Sequence, residues 1–172
     1  KAIMDIYAFL YPSFQKYGEH EKLNTFKSGD KIKIKHLLIE PIHVEHSIPG
    51  AYGFIIRTSK GNLVYTGDLR LHGPKKEFTL EFIEKAKKAK PFAMLCEGTR
   101  IGSDSEINLS EGDVNKKLHE IISASKGMVF TYFSMSNVDR FWSVYKAAVE
   151  NKRILVIDTR LAYILANLQG IV

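Results

Sequence analysis

Two stretches of the 172-residue chain carry residue types suited to metal chemistry: His43-Val44-Glu45-His46-Ser47-Ile48-Pro49-Gly50 and Tyr65-Thr66-Gly67-Asp68-Leu69-Arg70. An imidazole nitrogen and a carboxylate oxygen are both good zinc ligands. His46 and Asp68 each stand just past a run that reads as a strand, and rigid strands hold ligands in place. Gly67 lets the backbone pass close to an ion. Spacing alone leaves the ligand reading open, because neither stretch is a dedicated ligand motif, and His43 reads as structural. Glu97 follows the apolar run Phe92 to Leu95. A carboxylate there needs a partner, either a metal site or an ion pair with Arg100 or Arg70. His72 is balanced between touching a substrate phosphate and a plain turn role. Arg70 could grip phosphate bidentately or sit solvated at the surface.

The elements that must position these residues can be read from periodicity. Lys31 to Lys35 alternates with period two, and Leu37 to Val44 reads as a second strand. Tyr52 to Thr58 and Asn62 to Thr66 flank Ser59-Lys60-Gly61 as a hairpin. After Asp68 the pattern changes. Phe78, Phe82, Ile83 and Ala86 repeat at helical spacing with lysines facing outward, and Pro91 ends the helix. Phe92 to Cys96 is predicted as a short buried strand, with Cys96 buried and inert. Ser110 and Asp113 open a helix that buries Val114, Leu118, Ile121 and Ile122. Met128 to Phe133 and Arg153 to Asp158 are predicted as strands. Asn137 to Asn151 and Leu161 to Leu168 are predicted as helices, with Phe141, Trp142 and Tyr145 in the core. Lys1 to Tyr17 reads as a short helix or an irregular aromatic segment, and Gly102 to Asn108 as a seam. Strand and helix in alternation imply a parallel sheet, so the fold class is mixed α/β.

Four motifs occur in order, each at a strand end: His46-Ser47-Ile48-Pro49-Gly50, Tyr65-Thr66-Gly67-Asp68, Cys96-Glu97-Gly98-Thr99-Arg100 and Ser136-Asn137-Val138-Asp139-Arg140. Together they resemble the metallo-beta-lactamase-fold hydrolases of the beta-CASP nuclease group, relatives of ribonuclease J, over roughly His43 to Arg160. The resemblance implies part of an αββα sandwich over residues 1–104, followed by the beginning of a beta-CASP cap domain over 105–172. It implies that His46 ligates one zinc ion, that Asp68 bridges two, and that Glu97 orients a histidine ligand or the attacking water. Paired metals of this kind activate water for in-line attack on a phosphodiester. The group's His-x-His-x-Asp-His signature does not occur in the chain, nor does its later histidine pair. The expectation is therefore a central fragment of a longer enzyme, starting at Lys1, that binds metal weakly and cleaves nothing by itself.

Composition is consistent with this and decides little more. A net charge of +6, from 25 Lys and Arg against 19 Asp and Glu, favours an anionic partner such as nucleic acid. RNA is the expected partner ahead of DNA. No run is long and apolar enough to span a bilayer, so no membrane partner is expected. One cysteine precludes an internal disulfide and fits a reducing cytoplasm. A homo-oligomer is compatible with everything above. Two other functions fit the same residues. One is a non-catalytic RNA-binding or scaffold member, and the other a metallo-hydrolase of a small ester on the same fold.

Overall fold

The computed structural model of the chain describes Ile6, Phe9 and residues 24–99, 101–102 and 109–169. The readings of Lys1 to Tyr17 and of Arg100 therefore fall largely or wholly outside the described residues, as does most of the Gly102 to Asn108 seam. The protein is mixed α/β and divides into two compact units. One unit comprises Phe26–His46 and Gly50–Ser110. The other contains Glu111 onward, the segment Ser47–Pro49 and the described residues Ile6 and Phe9.

The first unit is a five-stranded sheet in the order β1-β2-β3-β4-β5, with β1 Ile32–Ile34, β2 Leu37–His43, β3 Tyr52–Thr58, β4 Gly61–Tyr65 and β5 Ala93–Leu95. The first four strands form an antiparallel meander, and the β3–β4 turn is closed by Thr58 opposite Gly61. Helix α1, Lys76–Ala89, carries the chain from β4 to β5, which pairs parallel with β4. A parallel neighbour needs such a crossover, because a tight turn cannot reverse the chain twice. Alternation along the strands puts Ile42, Ile55 and Val64 on one face, where they cluster with Val44 and with Phe82 of α1. Burying a side chain such as Phe82 stabilises by about 1.5–3 kcal/mol. Gly53, directly beneath, makes that close approach possible: a Cβ there would lie 2.5 Å from Phe82 Cε2. Lys90 closes α1 in a left-handed conformation, φ 47°, and Pro91 stops it from continuing.

β5 corrects one sequence expectation. Phe92, Met94 and Leu95 are all exposed, Met94 at 60%, and Cys96 is exposed too. The strand is three residues long and, among the described residues, pairs with β4 alone, so its apolar residues lack the cover that the same sequence would have in a central strand.

In the second unit, α2 Glu111–Ala124 packs on α3 Val138–Glu150, and α4 Thr159–Leu168 follows. Ile6, Val138, Ile164 and Leu168 form its core with Met135 alongside, and Phe9 stacks on Tyr163 at 4.1 Å. Asn137 caps α3 by accepting the Arg140 amide, and Asp158 caps α4 by accepting the Leu161 amide. Met128 to Phe133 and Arg153 to Asp158 are not strands. Their backbones enter no ladder among the described residues, and Phe130, Tyr132, Ile154 and Val156 stand exposed. Alternating apolar residues favour a strand only where a neighbouring strand takes up the backbone hydrogen bonds. Two packing expectations also change. Trp142 is 49% exposed and Tyr145 and Ile121 are exposed, because the buried stripe of α3 runs through Val138, Phe141, Val144, Ala147 and Ala148.

Candidate functional site

β2, β4 and β5 run in the same direction, since β3 reverses between β2 and β4 and β5 is parallel to β4. Their C-terminal ends therefore lie along one edge of the sheet. The residues that leave those ends are His46 after β2, Asp68 after β4 and Glu97 after β5. Asp68 is exposed, whereas His46, Glu97 and His72 are half-buried. His72 lies in the loop that joins β4 to α1.

Backbone and hydroxyl hydrogen bonds fix these ends to one another. The Thr66 amide donates to the Leu95 carbonyl at 3.0 Å, and the Glu97 amide donates to Thr66 Oγ1 at 3.1 Å. Gly67 adopts φ +57°, and a Cβ there would lie 2.6 Å from the Tyr52 carbonyl oxygen, so no other residue can make this turn so close to β3. The Glu97 carboxylate accepts from the Thr99 hydroxyl and, at 3.1 Å, from the Thr99 amide. These two bonds hold its pKa below the ordinary carboxylate range. Burial opposes them less strongly, and the Leu69 backbone and His46 add smaller effects in the lowering direction. Glu97 is thus an anion at neutral pH, hydrogen-bonded to the loop that carries Asp68. It pairs with neither Arg70 nor a surface lysine in any of these contacts.

The Arg70 side chain is largely buried rather than solvated. Its Nε and Nη2 donate to Glu45 Oε1 at 2.9 and 2.8 Å, with the two side chains 9% and 3% exposed. A buried carboxylate thus holds the Nε–Nη2 edge of the guanidinium. Glu45 escaped the sequence reading. The available signal was an acid flanked by Val44 at the end of an apolar strand, a position where a carboxylate needs a buried partner. Thr79, fully buried on α1, and Glu40, which pairs with Lys31 and Arg57, were missed as well. His43 is structural as expected, stacked on Tyr52 at 5.2 Å and on Phe78 at 4.5 Å. Burial, and then Lys75, lower its pKa, and Glu45 opposes them.

The Ser136-Asn137-x-x-Arg140 segment lies in the helical unit. Beyond the Asn137 cap, Arg140 binds Glu111 bidentately, both bonds at 3.0 Å, and Ser143 donates to the same carboxylate. An open cavity of ≈ 670 Å³ in this unit is lined by Ser134, Ser136, Phe141, Asp158 and Arg160 among others. Among the described residues, no three His, Cys, Asp or Glu side chains gather so as to hold a metal ion. A zinc site takes at least three protein ligands, so the described residues do not by themselves fit one. No helix among them is long and apolar enough to cross a membrane.

A mixed α/β unit with a histidine and two carboxylates at adjacent strand ends invites comparison with known enzymes. No family model matches the chain. Among curated proteins it is similar to ribonuclease J 2 of Streptococcus pyogenes, 30% identical over 80% of this chain and 26% of that one. It is likewise similar to ribonuclease J of Sinorhizobium meliloti, 32% identical over 79% of this chain and 24% of that one. The relative from Mycoplasma pneumoniae is 30% identical over 81% of this chain. The chain spans about a quarter of the length of these curated relatives. Among solved structures, it matches a protein of unknown function from Enterococcus faecalis V583 with a TM-score of 0.71 and 29% identity. That match covers 88% of this chain and 36% of the other. Over about four fifths of its length the chain is thus similar to proteins named ribonuclease J.

Proposed function

We propose that the chain is part of a ribonuclease-like phosphodiester hydrolase of the metallo-beta-lactamase superfamily that acts on RNA in preference to DNA in the cytoplasm. Residues 1–104 would belong to the metallo-beta-lactamase part, and 105–172 would begin the beta-CASP cap. The observation that carries the reading is that His46, Asp68 and Glu97 follow the same ends of three codirectional strands, in a chain whose curated relatives are named ribonuclease J. His46 and Asp68 would serve as ligands to zinc, two ions in the complete centre, and the remaining ligands fall to residues other than the described ones. Glu97, held anionic by Thr99, would accept a hydrogen bond from an imidazole or a water and orient it. His72, in the loop beyond Asp68, would face substrate. The chain alone is expected to bind metal weakly and to be inactive.

A chimera tests this reading. The segment of the S. pyogenes relative that aligns with this chain is replaced by this chain, and cleavage of labelled RNA, single-stranded DNA and a small ester is measured with and without zinc. Zinc-dependent cleavage that is fastest on RNA is the expected result. RNA retention without cleavage of anything would favour the binding-module reading. Ester hydrolysis alone would overturn the nuclease assignment.

A further inference from the structure

The loops that carry His46 and Asp68 are joined by a buried polar cluster that touches neither of those two side chains. Glu45 lies beside His46, and Arg70 lies two residues beyond Asp68. Besides taking the Arg70 guanidinium, the Glu45 carboxylate accepts the Lys75 amide at the start of α1, at 3.1 Å. The two backbones are bonded directly, with the Arg70 amide donating to the Glu45 carbonyl at 2.8 Å. Thr79, one turn into α1, completes the link. Its Oγ1 accepts the Glu45 amide at 2.9 Å and donates to the Arg70 carbonyl at 3.1 Å. Gly73 makes room for this: a Cβ there would collide with the Glu45 carboxylate and lie 2.6 Å from Arg70 Nε.

A buried ion pair is weak evidence for stability in itself, since desolvation offsets much of the attraction. What it fixes well is geometry. Each of these groups has its partners supplied by two different chain segments, so movement of either loop would leave a buried charge or hydroxyl without one. We propose that Glu45, Arg70 and Thr79 are positioning residues. They clamp the β2-end loop and the β4-end loop to the first turn of α1, and so set the separation of His46 and Asp68. The proposal rests on the reading of His46 and Asp68 as functional residues. Its structural half, that the two loops open as one unit governed by this cluster, stands apart from that reading and is measured apart from it.

The test is residue-resolved amide hydrogen exchange on the 172-residue chain carrying Thr79→Val, Thr79→Ser or Glu45→Gln. Valine keeps the shape of threonine and loses both hydrogen bonds, whereas serine keeps the hydroxyl. Thr79→Val is expected to accelerate exchange in both loops, at residues 45–47 and 67–70, by about tenfold or more. The amides of Ile42 and Ile55 in the sheet should be unchanged, and Thr79→Ser should restore slow exchange. Glu45→Gln should act on both loops as Thr79→Val does, and it serves if the valine variant does not fold. Acceleration in one loop only, equal acceleration across the sheet, or no change in either loop would overturn the clamp. Cleavage by the chimera separates the two ideas. Joint loop opening with unchanged RNA cleavage on His46→Ala would leave the clamp standing and remove the nuclease reading.

Discussion

His43 and His46 stand three residues apart, both half-buried, and His43 is held by an aromatic stack. His43 is sandwiched by aromatic rings, and desolvation, with help from Lys75, lowers its pKa. The folded protein therefore binds fewer protons at this position than the unfolded chain below the ordinary histidine value of about 6.5. By linkage, the stability that His43 contributes is fully present above that value and declines as the pH falls below it. Thermal unfolding between pH 7.5 and 5.5 should show the midpoint dropping with acidification. The drop should be shallower in His43→Phe, which keeps the stack and cannot be protonated. An equal slope in the two proteins would mean that the ring stack does not suppress protonation.

At the scale of elements, the sheet and α1 depend on one close approach, Gly53 under Phe82. Because Phe82 is almost fully buried, its ring has nowhere to retreat, and Gly53→Ala should destabilise by about 1–3 kcal/mol in denaturant unfolding. A change below a few tenths of a kcal/mol would show that the contact relaxes freely. The elements of this unit were legible in the sequence because their signals are local. Period-two alternation in β1 to β4, a turn at Ser59-Lys60 and helical spacing ended by Pro91 all depend on near neighbours. The failures share a different cause. Whether Phe92 to Cys96 is buried, or whether Met128 to Phe133 and Arg153 to Asp158 pair as strands, depends on what lies alongside, which periodicity does not encode. The candidate site divides in the same way. His46, Asp68 and Glu97 could be picked out as strand-end residues. Glu45, Arg70 and Thr79 form a contact between positions 9 to 34 residues apart, and only the folded chain brings them together.

For the whole molecule, the proposed function requires that His46 and Asp68, from loops after two strands separated by β3, act at one centre. The chain's net charge of +6 suits a polyanionic substrate but says nothing of chemistry. The similarity to ribonuclease J assigns these residues no part in a reaction. Residues that act as a unit give non-additive losses, because removing either one already disables the centre. The most direct measurement is therefore the rate of RNA cleavage by the chimera carrying His46→Ala, Asp68→Ala or both. Each single substitution should lower the rate by about 100-fold or more, and the double variant should be no slower than the worse single one. Near-native rates for either single variant, or losses that multiply in the double, would contradict the account.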